Sequence, residues 1–333
     1  MTDHPAVPDY IKNKIDLAIP RLGSSVVYAT NDFFAAKERL IQSAKPVFIP
    51  GKYDNNGKWM DGWETQRRRN GGHDWCIIKL GVKGVIDGFD IDTSHFTGNF
   101  PPAASIEAVL SDSEPDETSD WTEIAPVSSL KGNSHHFVPS LSAASYNYLK
   151  LNMYPDGGIA RLRVYGQPVC EWNRKDMDQV YELSAMKNGG RVVAFNDAHF
   201  GDPWQILTDG RGRDMGDGWE TRRRREPGND WIIIALGHPG IVEKIEVDTA
   251  HFKGNYPDCC SLMAAHVENA TDQSLITQSM FWETLLPPQK LQADHIHEFG
   301  KKNLSELGAV SHVRFNIHPD GGVSRVRIIG KII

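Results

Sequence analysis

The stretch DGWETQRRR, at residues 61–69, recurs as DGWETRRRR at residues 217–225, with eight of the nine positions identical. Further along, YPDGGIARLRVYG (154–166) recurs in the same order as HPDGGVSRVRIIG (318–330). The offset between the copies is 156 residues for the first pair (217 − 61) and 164 residues for the second (318 − 154). Solenoid repeats have periods of roughly 20–50 residues, so this period is too long for a solenoid. The sequence therefore predicts one domain that is present twice.

This self-similarity sets the predicted domain organisation of the 333 residues. We expect an N-terminal extension at 1–15, a first repeat at 16–166, a polar linker containing proline at 167–180 and a second repeat at 181–333. Each repeat has roughly the 150 residues of an ordinary domain. A domain of that size buries enough apolar surface to fold without a disulfide or a structural metal.

Within each repeat the residue pattern predicts β-structure. Leu149, Leu151 and Met153 alternate with polar residues, as in a strand with one buried face. The Asp156-Gly157 pair that follows is a strong signal for a hairpin turn. Short strands come about every ten residues, a spacing typical of β-sandwiches and barrels. We therefore predict an all-β fold, with tandem duplicated β-sandwich domains of the jelly-roll type.

Two local expectations accompany this fold. Alternation over Glu64, Gln66 and Arg68 predicts that a strand continues through the arginine run, with these three side chains on one face. Few stretches have a helical pattern, and short helices are predicted at 33–43 and 303–308.

The composition excludes several classes of partner. The net charge is −7, which does not favour nucleic acid or an acidic membrane surface. No apolar run approaches the roughly 20 residues that span a bilayer, and the N-terminus has no apolar signal region. The four cysteines are Cys76, Cys170, Cys259 and Cys260, and none of them forms a C-x-x-C motif. This cysteine usage is typical of reduced, intracellular proteins. We expect a cytoplasmic protein.

Several motifs recur between the two repeats and together cover nearly the whole chain. In the first repeat they are LGSSVVYATNDFFA, MDGWETQRRR, HDWCIIKLG, DTSHFTGNFP and YPDGGIARLRVYG. In the second repeat they are NDAHFG, MGDGWETRRRR, NDWIIIALG, DTAHFKGNYP, LQADHIHEF and HPDGGVSRVRIIG. In this order and number the motifs resemble those of the allantoicases.

The resemblance implies tandem jelly-roll domains related to galactose-binding-like modules, assembled as a homo-oligomer. It also implies a cytosolic hydrolase of purine breakdown, in allantoin degradation, that converts allantoate and water to ureidoglycolate and urea. Because jelly rolls of this kind often bind sugars through their end loops, a double carbohydrate- or ligand-binding module without catalysis is the alternative. The many ionisable residues in the repeated loops favour the enzyme.

The implied reaction sets three chemical tasks. The carboxylate of allantoate must be bound, one ureido nitrogen must be protonated as it leaves, and water must reach the central carbon. The planar fork of an arginine suits the first task, because it binds a carboxylate with two hydrogen bonds. A histidine or a carboxylic acid suits the proton transfers.

Candidates for these tasks come from both repeats. The predicted catalytic residues are Glu220, His251, Glu64 and His95. The predicted substrate-binding residues are Arg222, Arg223, Arg224, Arg67, Arg68, Asn196, Asp197 and Asn255. The competing interpretation is that the arginines lie on a solvated sheet face and pair there with neighbouring carboxylates.

Two differences between the repeats favour the second as the catalytic one. Gln66 corresponds to Arg222, and only the second repeat has the His295-x-His297 pair. The residues leave open which repeat is catalytic and whether both contribute to one site. Two histidines are at most half of a metal site. No cofactor is therefore predicted, and a divalent metal at His295 and His297 is kept as an alternative.

Overall fold

The structure, a computed structural model, describes the chain except residues 1–5, 13 and 173–175. These residues belong to the predicted N-terminal extension and the predicted linker, which are therefore only partly within the described residues. The chain folds as two compact units, Met1–Val169 and Cys170–Ile333. The division between the units falls within the predicted linker.

The first unit is built from antiparallel strands. They are β1 (Ile15–Asp16), β2 (Ser25–Ala29), β3 (Tyr53–Asp54), β4 (Gly57–Lys58), β5 (Trp63–Glu64), β6 (Asp74–Asp92), β7 (Ala103–Val109), β8 (Thr122–Ser129), β9 (His135–Pro139), β10 (Ser145–Tyr154), β11 (Gly158–Ile159) and β12 (Arg161–Pro168). The main network has the order β1-β12-β6-β10-β7-β8, and β2 and β9 also pair with β6. Two short pairs, β5 with β11 and β3 with β4, lie outside this network.

The long strand β6 belongs to both layers of the sandwich. Residues 76–79 pair with β2 and β10, whereas residues 88–92 pair with β12 and β9. Between these segments the chain requires a glycine. A Cβ on Gly81 would lie 1.8 Å from the carbonyl oxygen of Leu22, so no side chain fits there.

The second unit repeats this arrangement. Its strands are β13 (Val180–Glu182), β14 (Arg191–Phe195), β15 (Trp219–Glu220), β16 (Asp230–Asp248), β17 (Cys259–Ala265), β18 (Glu283–Lys290), β19 (Ile296–Gly300), β20 (Ala309–His318), β21 (Gly322–Val323) and β22 (Arg325–Ile332). The order β13-β22-β16-β20-β17-β18, with β14 and β19 on β16, matches that of the first unit strand for strand. The predicted all-β, tandem duplicated jelly-roll fold is confirmed.

Helical segments are short in the described residues. The one α-helix there, α1 (Asp272–Gln278), begins at Thr271, whose side chain accepts the N–H of Ser274 at 3.2 Å. None of the described helices is long and apolar enough to cross a membrane. The remaining helical turns are 3₁₀ segments, at Asp9–Ile11, Pro20–Leu22, Lys37–Ile41, Met186–Asn188, Pro203–Leu207, Ser279–Phe281 and Lys301–Asn303.

The two predicted helices are largely wrong. In the stretch 33–43 only Lys37–Ile41 is helical, because the backbone of Ala35 is already paired with Glu64. In the stretch 303–308 the only helical residue is Asn303, which ends a 3₁₀ turn. Further along that stretch, the N–H of Ser305 is bonded to a strand of the sheet. Tertiary hydrogen bonds outweigh the local pattern in both places.

The predicted hairpin at Asp156-Gly157 is also wrong. Strand β10 pairs with β7 and with the first half of β6, whereas β12 pairs with the second half of β6. The chain therefore crosses from one layer to the other here, after a cis Tyr154–Pro155 peptide. A type I′ hairpin needs positive φ at both turn residues. Only Gly157 has it, with a φ of 144°.

Candidate active site

Glu220 is a buried carboxylate at the end of strand β15. Its backbone oxygen accepts the N–H groups of His199 at 2.9 Å and Phe200 at 3.2 Å. The side-chain amide of Asn255 donates a hydrogen bond to its Oε1. Only 9% of Glu220 is exposed. The strand, the loop at His199 and the loop at Asn255 together hold this carboxylate in one position.

Two of the four arginines that follow, Arg222 and Arg224, are held by carboxylates. The guanidinium of Arg224 binds the buried Asp230, with an Nη2–Oδ1 distance of 2.5 Å. This hydrogen bond raises the pKa of Arg224 above its ordinary value. Arg222 is more exposed, binds Glu226 at 3.2 Å and lies 3.8 Å from Asp197. The expectation that arginines of this run pair with nearby acids is met by these two residues.

Arg223 differs from its neighbours. Its guanidinium makes no hydrogen bond or ion pair with the residues that the structure describes, and its side chain is exposed. It lines the same cleft as Glu220. Among the arginines that line the cleft, Arg223 is therefore the one whose hydrogen-bonding groups remain available to a ligand.

The PDGG motif of the second repeat holds the backbone of the arginine run through a hydrogen bond. Asp320 accepts the backbone N–H of Arg224 at 2.8 Å. Gly322 pairs with Glu220 in the β15–β21 ladder and has no room for a side chain, because a Cβ would lie 2.0 Å from the ring of Phe252. The PDGG and DTAHF motifs therefore form one support for the site, which explains why they recur together.

The cleft in front of Glu220 has a volume of 660 Å³. Five of the predicted residues line it: Glu220, Arg222, Arg223, Arg224 and Asn255. Residues that the sequence reasoning did not select also line it, including His199, Phe200, Tyr256, Asp258 and Asp320. A volume of this size is typical of a small-molecule site.

The first repeat has the same framework. Asn99 donates to Glu64 at 2.5 Å, Arg68 binds Asp74 at 2.7 Å, and Asp156 accepts the N–H of Arg68 at 2.8 Å. Burial raises the pKa of Glu64, while the hydrogen bond from Asn99 opposes that rise. The buried glutamate is thus a property of both repeats.

The lining residues of the cleft differ between the repeats. His199, Arg222, Tyr256 and Asp258 correspond by alignment to Phe34, Gln66, Phe100 and Pro102. In each pair the second repeat has the residue that can ionise. These differences between the repeats are the signal in the sequence for the cleft-lining residues His199, Tyr256 and Asp258.

The arginine run is not a strand, so that prediction is wrong. Strands β5 and β15 end at Glu64 and Glu220. Beyond them, side chains take the backbone N–H groups. Asn31 accepts the N–H of Gln66 at 2.9 Å, and Asp197 accepts the N–H of Arg222 at 2.7 Å. Asp197 therefore positions the run.

Asn196 contacts the start of strand β16 and is not among the residues that line the cleft. Its side-chain amide donates to Asp230 at 3.0 Å and accepts the N–H of Trp231 at 2.8 Å. Through Asp230 it is connected to Arg224. These contacts make Asn196 a support of the site, and a direct contact of Asn196 with substrate stays a prediction.

The structure does not bring His251 or His95 to the glutamates. His251 Nε2 bonds the carbonyl oxygen of Gly212 at 2.8 Å, and His95 Nε2 bonds that of Pro46 at 3.2 Å. Neither residue lines the cleft of Glu220. Both imidazoles tie down neighbouring loops, and their catalytic role stays a prediction that this geometry does not support.

The residues at His295 and His297 do not fit a metal site. The ring of His297 uses both nitrogens within the protein, since Nδ1 bonds the carbonyl oxygen of Val247 and Nε2 accepts the N–H of Gln292. Burial lowers the pKa of His297. No group of three or more His, Cys, Asp or Glu among the described residues could hold a metal ion.

Comparison with known proteins adds to this geometry. A family model described as the allantoicase repeat matches residues 15–169 and again 181–333.

The chain belongs to the allantoicase family. A probable allantoicase 1 from Burkholderia mallei is 58% identical to it, over 98% of this chain and 97% of the relative. A probable allantoicase from Ralstonia nicotianae is 59% identical, over 98% of both. The crystal structure of allantoicase from Saccharomyces cerevisiae has a TM-score of 0.82 and 37% identity, and covers 96% of this chain and 94% of its own. The predicted family is confirmed, and the fold is that of the yeast allantoicase.

Proposed function

We propose that this member of the allantoicase family hydrolyses allantoate to ureidoglycolate and urea at the cleft of the second repeat. Membership of the family supports the reaction. One observation supports the location: the held carboxylate of Glu220 and the unpartnered guanidinium of Arg223 line one cleft. The reaction needs both a proton carrier and a carboxylate-binding cation.

Arg223 binds the carboxylate of allantoate. Its guanidinium offers two parallel N–H donors, and a charge-assisted pair of this kind is stronger than a neutral hydrogen bond. Arg222 adds a second positive charge on the same lining. Arg224 cannot take this role as freely, because its guanidinium already binds Asp230. The interaction of Arg223 with this carboxylate holds the central carbon of the substrate near Glu220.

Glu220 transfers the proton. In its protonated form it gives a proton to one ureido nitrogen, and the bond from that nitrogen to the central carbon breaks and releases urea. The other ureido nitrogen supplies its lone pair and forms a carbon–nitrogen double bond. Water then adds to the carbon and returns a proton to Glu220, which yields ureidoglycolate. The hydrogen bond from Asn255 holds one carboxylate oxygen during both transfers.

His199 is a further ionisable group at the wall of this cleft. Its backbone is fixed on Glu220 through the N–H bond at 2.9 Å. An imidazole both donates and accepts hydrogen bonds, so His199 is placed to orient the water that attacks the carbon.

The test is urea release from allantoate by Glu220→Gln. We expect a loss of about 10²- to 10⁴-fold in kcat, the range for removing one general acid or base. Glu283→Gln, a change of the same kind on the exposed part of β18, is the control. Full turnover by Glu220→Gln would overturn the proposal. Loss of turnover in Glu64→Gln in its place would move catalysis to the first repeat. Sugar binding without any urea release would support the non-catalytic alternative.

We also propose that the chain works in the cytoplasm as a homo-oligomer. Cys76, Cys259 and Cys260 are free thiols, as expected in a reducing compartment. Met280 and Phe281, beside α1, are 62% and 82% exposed, and exposed apolar side chains of this size are common at protein interfaces. Light scattering on the purified chain and on Phe281→Ser tests this. A wild-type monomer would contradict the oligomer.

A further inference from the structure

The first repeat has the buried glutamate and the exposed arginine of the site, but it lacks several of the ionisable residues that line the cleft of the second repeat. We propose that it holds a second binding site, for a small carboxylate that carries a urea or amide group, and that it binds this ligand without hydrolysing it. The proposal rests on the proposed function of the second repeat, because it takes the chemistry of that cleft as its reference.

The hydrogen bonds that position the glutamate are the same in both repeats. The oxygen of Gly157 accepts the N–H of Thr65 at 2.9 Å, and the corresponding bond of the second repeat measures 3.0 Å. The oxygen of Asn99 accepts the N–H of Gly158 at 2.8 Å, which is also the distance at Asn255. With these bonds the amide of Asn99 is held against Glu64 as Asn255 is held against Glu220.

The cation of the second repeat is also preserved. Arg67 has the position of Arg223 in the aligned motifs. Its side chain is exposed and makes no hydrogen bond or ion pair within the described part of the chain. Its neighbour Arg68 is held by Asp74 and Asp156, as Arg224 is held in the second repeat. A free guanidinium beside a held one is therefore the arrangement in both repeats.

Three polar side chains that surround Glu220 have no polar counterpart around Glu64. Phe34 replaces His199, Phe100 replaces Tyr256 and Pro102 replaces Asp258. None of these three side chains can donate, accept or relay a proton. A ligand that reaches Glu64 therefore meets one carboxyl group without the ionisable residues that surround Glu220.

A longer loop also distinguishes the first repeat. Residues 42–60 join the 3₁₀ helix Lys37–Ile41 to Asp61, whereas only 208–216 make the corresponding connection in the second repeat. The extra length forms the β3–β4 pair, which carries Lys58. The positive charge of Lys58 acts on the carboxylate of Glu64 and favours its ionised form, and the charge of Asp54 on the same strand pair opposes this effect more weakly. This second cation replaces the charge that Gln66 lacks relative to Arg222.

The ligand class follows from these groups. Arg67 and Lys58 favour an anion, and the planar fork of Arg67 matches a carboxylate. The Glu64–Asn99 pair offers an amide-type donor and acceptor set, which suits a urea or amide group. Ureidoacetate has both parts in a small molecule. It lacks the second ureido group of allantoate, so the proposed reaction cannot proceed on it.

The test is the stoichiometry of ureidoacetate binding by calorimetry on the full chain. We expect two molecules per wild-type chain, one per chain in Arg67→Ala, one in Arg223→Ala and none in the double variant. Arg69→Ala is the matched control, because Arg69 is exposed and unpartnered within the described part of the chain, and it should still bind two. Acetate and urea alone should each bind at least about tenfold more weakly, a difference of roughly 1.4 kcal/mol.

One molecule per wild-type chain, with no change in Arg67→Ala, would overturn the second site. Acetate binding as tightly as ureidoacetate would overturn the ligand class. The proposed function fails separately, through full urea release by Glu220→Gln, so the two failures are distinguished. Arg67 is exposed, so its replacement leaves the fold intact, which circular dichroism verifies.

Discussion

The carboxylate of Asp320 accepts the backbone N–H of Arg224 at 2.8 Å, 96 residues earlier in the chain. Asp156 makes the same contact with Arg68, also at 2.8 Å. In each repeat, an aspartate in the segment that crosses between the two layers therefore fixes the backbone of the arginine run by a hydrogen bond. Because Arg223 directly precedes the fixed residue, this hydrogen bond limits the directions in which its guanidinium can point.

Replacing Asp320 by alanine should lower both stability and turnover. The hydrogen bond to a charged acceptor is lost, which costs about 1 to 3 kcal/mol of unfolding free energy. We also expect kcat/KM for allantoate to fall at least about tenfold, because Arg223 loses its fixed direction. Urea denaturation and urea-release kinetics measure the two effects.

Asp156→Ala supplies the reference for this experiment. It removes the matching contact from the first repeat, so it should cost a similar free energy of unfolding. Asp320→Asn, which keeps an oxygen acceptor, should recover part of the activity. An equal loss of turnover in Asp156→Ala and Asp320→Ala would contradict a positioning role that is specific to the second repeat.

Removing the guanidinium of Arg223 should raise KM and lower kcat/KM about 100-fold. That factor corresponds to about 2.7 kcal/mol, which is within the range for a charge-assisted pair with a carboxylate. Arg223→Lys keeps the charge but not the fork, and should fall between. Arg225→Ala is the control, since Arg225 is exposed and is not among the residues that line the cleft. Arg223→Ala with unchanged KM and kcat would refute the assignment.

A buried ion pair fixes the start of the DGWE motif in each repeat. Asp61 binds Arg161 at 2.8 Å, and both side chains are almost completely buried. Asp61 also accepts the N–H of Val47 at 2.9 Å. Removing one partner of a buried pair leaves an uncompensated charge. Asp61→Ala should therefore lower the unfolding free energy by about 3 to 5 kcal/mol in urea denaturation. Asp112→Ala, at an exposed position of the same repeat, should change it little.

The general fold was predictable because it depends on two features that the sequence shows directly, namely alternation and duplication. Strand pairing was less predictable. The Asp156-Gly157 pair marks a reversal of the chain, but whether β10 and β12 pair is decided by the long strand between them in the sheet. In the same way, residues 33–43 have a helical pattern, but the β-bridge between Ala35 and Glu64 prevents a helix over the first part of this stretch.

The site was predicted in part, and the omissions have one cause. Glu220, Asn255 and the arginines belong to motifs that both repeats share, and reasoning from shared motifs selects such residues. His199 and Asp258 line the cleft where the repeats differ, so the same reasoning passed over them. The prediction of His251 followed from its polar loop. Its bond to Gly212 is a tertiary contact that no local pattern indicates.

A partly buried histidine makes the second repeat sensitive to acid. The pKa of His312 is lowered to about 4, mainly by burial and also by the charges of Arg191 and His266, while Asp272 opposes them. Since the ordinary pKa of histidine is about 6.5, the unfolded chain binds more protons than the folded chain between these two values. The stability that the neutral imidazole supplies is therefore complete above about pH 6.5 and is lost as the pH falls toward 4.

His312→Asn should reduce this loss. We expect the urea midpoint of the wild type to fall more between pH 7 and pH 5 than that of the variant, because the asparagine does not titrate. The effect is a fraction of the ideal linkage value, since His312 is only partly buried. His266→Asn replaces a more exposed histidine and removes only the smallest contribution to the pKa of His312, so it should keep most of the wild-type slope. Parallel midpoints for the wild type and His312→Asn across this range would show that His312 does not control the acid sensitivity.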